Sequence, residues 1–107
     1  MRKITEEAVN CFLNGIDYRK SNTAVFKDPL GDQNLVLMTL HWNNIATYNL
    51  ETKELKVRDC GRQSNTTKER LNGILHHFWT GIYQKAWAWY FSNGKKWENR
   101  QRNTIEA

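Results

Sequence analysis

A chain of 107 residues with 39% hydrophobic and 12% aromatic content is sized for one domain with one core, and its aromatic load argues against a disordered polymer. The formal charge of +5 and the pI near 9.4 favour acidic partners such as nucleic acid, although charge alone speaks only to non-specific attraction. Cys11 and Cys60 make no disulfide framework, and no apolar run is long enough to span a membrane.

The first predicted element is a helix. Thr5 is placed to cap it, with Glu6 and Glu7 in the first turn where the helix dipole favours acids. Ile4, Ala8, Cys11 and Phe12, with Val9, Leu13 and Ile16, make a broad apolar face. Gly15 sits where a left-handed terminal residue belongs. The helix is expected over Glu6 to Asn14, with Cys11 as a small core residue. No apolar stretch follows the opening charges, so no signal peptide is expected, and the reading is a cytoplasmic protein with reduced thiols.

Strands follow. Thr23 to Lys27 is one, and Asp28-Pro29-Leu30-Gly31-Asp32 is a turn. Leu35 to Leu40 is apolar on both faces and belongs at the centre of a sheet. His41-Trp42-Asn43-Asn44 turns the chain, Ile45 to Leu50 returns, and Glu51-Thr52-Lys53 turns it again. Glu54, Lys56 and Arg58 alternate with Leu55 and Val57, the one-sided pattern of an antiparallel strand.

A second helix is launched within Ser64 to Asn72. Thr66 and Glu69 have the spacing of a capping box, and Leu71, Ile74, Leu75 and Phe78 form one apolar stripe. The helix is expected from Thr67 to about Phe78. Beyond Gly81, Ile82 to Ala86 and Trp87 to Phe91 read as strands joined tightly. Asn93-Gly94 is a hairpin turn signal, a short strand runs through Trp97, and residues 101–107 are expected to fray. The fold class is α+β, a mostly antiparallel sheet of about six to seven strands with two helices, in the order helix, four strands, helix, three strands.

Little here points to catalysis. His76 and His77 are adjacent, whereas a metal pair on a helix needs i, i+4 spacing. Cys60 would need a base such as His41 to act as a nucleophile, and nothing in the pattern brings them together. No phosphate loop, zinc spacing or nucleophile elbow occurs. The expectation is a non-catalytic protein with no cofactor and no metal.

Two stretches suit binding. From Trp79 to Arg102 the bases Lys85, Lys95, Lys96, Arg100 and Arg102 outnumber the acid Glu98, and aromatics interleave with them. Cations that follow a backbone, beside rings on which bases stack, are what single-strand binding requires. Tyr83, Lys85 and Tyr90 are the positions expected to face outward, while Trp87, Trp89 and Phe91 alternate as core residues would. The second stretch is the start of the second helix, where Arg58, Arg62, Lys68 and Arg70 could surround an anion.

Several motifs carry a resemblance. Ser21-Asn22-Thr23-x-Val25, Leu40-His41-x-Asn43-x-Ile45-Ala46, Thr66-Thr67-Lys68-Glu69-Arg70-Leu71-Asn72 and Trp89-Tyr90-x-x-Asn93-Gly94-x-x-Trp97 resemble a group of small proteins encoded by tailed bacteriophages, over about residues 20 to 98. Trp42 stands where that pattern has Gly, and Arg62 where it has Trp. The resemblance implies an accessory protein acting in the cytoplasm of an infected bacterium, with no activity carried over. Its implied mode is binding, to nucleic acid (single-stranded rather than duplex) or to a host protein such as a defence or nucleic-acid-processing enzyme. A monomer or an edge-paired homodimer would serve, and no membrane is involved.

Overall fold

The structure is a computed structural model and describes residues 2–31, 33–99 and 101–105. Helix α1 (Lys3–Asn14) is followed by strands β1 (Tyr18–Lys20), β2 (Thr23–Lys27), β3 (Leu35–Leu40), β4 (Asn43–Asn49) and β5 (Leu55–Val57). Helix α2 (Asn65–Leu75) runs into a 3-10 turn at His76–Phe78, and β6 (Ile82–Lys85), β7 (Ala88–Phe91) and β8 (Asn103–Ile105) complete the order. Six strands form one antiparallel sheet, β1-β2-β3-β4-β5-β8, and β6 pairs with β7 in a separate hairpin. The fold is α+β, with one strand more before α2 than the pattern announces. That strand, β1, lies on the sheet edge with Arg19 and Lys20 in water, so it carries no apolar alternation. The two-sided apolar strand β3 lies inside the sheet, between β2 and β4.

The register builds the core. Val25, Met38, Ala46 and Val57 stand opposite one another across four strands, and Val36, Tyr48 and Leu55 form the next row. Met38 pairs with Ala46 while Thr39 pairs with Asn44, so Ile45 is an inserted residue and both Ile45 and Ala46 reach the interior. The helices cover these rows with Ala8, Val9, Phe12, Leu71, Ile74 and Leu75. The Tyr48 ring meets Phe12 at 5.9 Å and Phe78 at 5.8 Å. Gly15 ends α1 at φ 67, where a Cβ would lie 2.8 Å from Leu50 Cδ1.

Both helix starts differ from expectation, for one reason. Thr5 lies inside α1 and is buried, and Arg2 precedes the helix without a side-chain cap. Thr5 Oγ1 donates to Glu69 Oε1 at 2.7 Å and accepts from Arg70 Nη1 at 2.6 Å. Glu69 Oε1 also accepts from Arg2 Nε at 2.9 Å and Arg70 Nη1 at 2.7 Å. The carboxylate that would have closed a box with Thr66 is therefore turned toward α1. Ser64 caps α2 instead, its Oγ accepting from Thr67 N at 3.1 Å.

Arg70 is only 1% exposed, and its Nε reaches Thr23 Oγ1 at 3.2 Å, tying both helices to β2. Burial lowers the Arg70 guanidinium pKa, Arg2 adds to this, and Glu69 opposes it. Burial pushes the Glu69 carboxyl up, but the Thr5 hydrogen bond and the Arg2 and Arg70 charges together hold it below its usual value.

The stretch expected to fray is ordered through residue 105. β8 pairs with β5, and Asn103 is buried, its Nδ2 donating to Glu98 O and Gln101 O at 3.2 Å each and, at 3.4 Å, to Val57 O. One buried amide holds a strand too short to show a period. Residues 106 and 107 lie outside the described residues. Among those described, no helix is long and apolar enough to cross a membrane.

Candidate nucleic-acid interface

The β6–β7 hairpin shares the buried core with α2 and is hydrogen-bonded to it through Asn72. Asn72 Oδ1 accepts from Ile82 N at 2.6 Å, and Asn72 Nδ2 donates to Ile82 O at 3.1 Å. This fixes the hairpin's rotation, and alternation then sorts its residues. Ile82, Trp89 and Phe91 are buried. Tyr83 is paired with Tyr90 and Lys85 with Ala88 on the opposite face, and an isolated bridge from Tyr90 adds Lys96. The Tyr83 and Tyr90 rings stack at 5.7 Å and 24°. Four of the residues singled out in the sequence, Tyr83, Lys85, Tyr90 and Lys96, thus share one outward face. Lys95 is exposed, its backbone N–H donating to Asn93 Oδ1 at 2.9 Å, and it lines a groove with Phe78 and Trp79 rather than pairing onto this face. Arg102 is exposed just before β8. Arg100 lies outside the described residues.

Trp87 leaves the core row to which alternation assigned it. Ala86 and Trp87 are the two turn residues between β6 and β7, with φ of 51° and 67°. Two successive positive φ values mark a type I′ hairpin, whose usual residues are Asn and Gly. The indole is 91% exposed at the tip. Trp79, at φ 61 after the 3-10 turn, is 96% exposed. Sequence reasoning missed both, because neither turn carries a Gly or Asn at the left-handed position.

The four cations assigned to the start of α2 do not stay together. Arg62 is exposed, Arg58 and Lys68 are half-buried, and Arg70 is buried on Glu69, Thr5 and Thr23. Arg70 is thus withdrawn from any surface anion site at that helix start.

Of the groups weighed for chemistry, Cys60 and His41 have polar neighbours. Cys60 Sγ donates to Asn44 O at 3.0 Å, and burial pushes the thiol up despite the nearby Arg58 guanidinium. A thiol held protonated is a poor nucleophile. The His41 Nε2 atom lies 3.4 Å from Asn22 Nδ2. His76 and His77 are both exposed. Among the described residues no three His, Cys, Asp or Glu side chains converge as metal ligands.

These features define a small basic α+β protein that displays aromatic side chains at its turns and on one hairpin face. The chain belongs to the Kyanoviridae Gp96 protein family, a phage family whose model matches residues 1–105. No curated protein and no solved structure matches the chain.

Proposed function

We propose that this phage protein acts by binding single-stranded nucleic acid, without catalysis, through the outward face of the β6–β7 hairpin. The observation that carries the reading is the stacked Tyr83–Tyr90 pair set between Lys85 and Lys96 on one exposed face. Rings accept successive bases, and the ammonium groups follow the phosphates between them. Trp87 at the tip extends the row of rings. The test is anisotropy of a fluorescein-labelled oligothymidylate across a salt series. With three or four phosphate contacts, log affinity against log salt should have a slope of about −2 to −3. Lys95→Ala with Lys96→Ala should flatten that slope by about 1.4 while the fold persists. Tyr83→Ala should weaken binding by about 1–3 kcal/mol and leave the slope unchanged. Binding that is absent at low salt, or a slope indifferent to the two lysines, overturns this reading.

A second reading takes a host bacterial protein as the partner. One observation favours it: Trp79 and Phe78 edge a groove of about 510 Å³ that also holds Phe91 and Ile105. An exposed indole at the edge of a groove that mixes these rings with Thr80, Ser92, Asn93 and Thr104 suits a protein interface, where Trp is enriched. Trp79→Ala would then abolish capture of one specific host protein while leaving oligonucleotide binding untouched.

A further inference from the structure

A second set of rings and cations lies away from the hairpin, where β3 turns into β4. Leu40 and Asn43 pair across a two-residue turn made by His41 at φ 50 and Trp42 at φ 67. Glycine would sit there without strain, yet the position holds an indole that is 78% exposed. Outliers of this kind, retained against a local cost, are worth reading for function.

Trp42 stands between two grooves. One, of about 420 Å³, is lined by Arg19, Ser21, Asn22 and His41 among others. The other, of about 630 Å³, is lined by Asn43, Asn44, Arg58, Cys60 and Arg62. No acidic side chain lines either. The Arg19 guanidinium lies 5.2 Å from the Trp42 ring centroid, a cation–π contact that steadies the indole from one side. Arg58 Nε is buried with no hydrogen-bond partner among the described residues, so that nitrogen is not spent on a protein acceptor.

Register places the other loops at this end of the sheet. Thr23, where β2 begins, pairs with Leu40, and Val57, where β5 ends, pairs with Ala46. The β1–β2 turn and the Arg58–Arg62 loop therefore flank the Trp42 turn on its two sides. Asp59 fixes that loop by accepting from Gly61 N and from Gln63 Nε2, both at 2.8 Å.

We infer that Trp42 and the arginines around it form a nucleotide-binding subsite: a base stacks on the open face of the indole, and Arg58 and Arg62 receive the adjoining phosphate. The inference rests on nucleic acid being the ligand, as proposed above, but uses none of the hairpin's residues. Exposed aromatic, flanking cations and absent acids are the chemistry a strand needs.

The experiment is the same anisotropy titration on three variants. Trp42→Gly suits the turn, so its fold and melting temperature should hold. It should lose at least about fivefold in affinity, the low end of a stacking contribution, with the salt slope unchanged. Trp42→Phe should recover most of that loss. Arg58→Ala with Arg62→Ala should flatten the slope by about 1.4. Displacement of the oligonucleotide by free adenosine monophosphate from the parent, but not from Trp42→Gly, would assign the subsite to nucleotides as well as strands. If the Trp42 and arginine variants bind like the parent while Tyr83→Ala fails, the subsite is overturned and the hairpin reading stands. If the hairpin variants bind like the parent while Trp42→Gly fails, the subsite stands and the hairpin reading falls.

Discussion

Trp97 donates its indole N–H to Asp59 Oδ2 at 2.9 Å, with both residues buried. The contact joins the chain just after β7 to the loop that carries Arg58 and Arg62. Trp97 in turn packs against Trp89 at 5.5 Å and Phe91 at 5.4 Å, the inner face of the hairpin. One carboxylate thereby supports the layer beneath the tyrosines and the loop beside Trp42. Asp59→Ala leaves the buried indole N–H of Trp97 unmet, which should cost about 1–3 kcal/mol, while the exposed Gln63 keeps Asn99 as an acceptor. Urea melts measure the loss, and a parent-like midpoint would show that the indole finds another acceptor.

Arg70 is the next test. Its forked head serves Thr5, Thr23 and Glu69 at once. Lysine offers a single ammonium and cannot reproduce the fork. Arg70→Lys should therefore remain destabilised, and Arg70→Ala should cost about 3 kcal/mol, the low end for breaking a buried pair, because Glu69 keeps some access to water. Full recovery by lysine would mean that charge alone matters there.

Glu69 makes stability depend on acid. Its folded pKa lies below the unfolded value, so its contribution is present above the unfolded carboxyl range and is lost as pH falls through the folded value. Glu69→Gln should melt below the parent at neutral pH, and the two curves should converge only once pH has fallen below the lowered folded value. Melting temperature against pH reads this directly. A gap that stays constant into acid would assign the effect to packing.

The cap of α2 can be placed by two substitutions. Ser64→Ala should cost about 0.5–2 kcal/mol, and Thr66→Ala should stay within about 0.5 kcal/mol. Leu75→Ala, on the fully buried face of the same helix, should cost about 2–5 kcal/mol. Reversal of the first two would restore Thr66 as the cap.

Much of this architecture was legible because burial writes a period. Thr23–Lys27 and Leu35–Leu40 fall where their alternation and apolar runs put them. What was not legible depends on partners far away in sequence. Ser64 and Thr66 are equally good local caps, and the choice between them is made by Arg2, Thr5 and Arg70 drawing Glu69 aside. Edge strands β1 and β8 bury too little to show a pattern. The turn that carries Trp42 was legible in His41 to Asn44, but the exposed Trp79 and Trp87 were hidden for the opposite reason: a large aromatic signals burial, and nothing local announced a left-handed backbone beneath it. In the site, the outward tyrosines and lysines followed from period two, whereas the withdrawal of Arg70 did not.

The placement of β8 has a consequence for how the molecule assembles. Strands β2, β3 and β4 are joined by short turns and can zip locally, but Asn103 must find Val57 from 46 residues away. That closure pays its loop entropy before any pairing rewards it, so β8 should dock late. Until it does, β5 is an open edge with Leu55 and Val57 beside it, ready to accept the same strand from another copy. Refolding at high concentration should therefore yield exchanged dimers that dilute refolding does not, separable by size-exclusion chromatography and slow to revert.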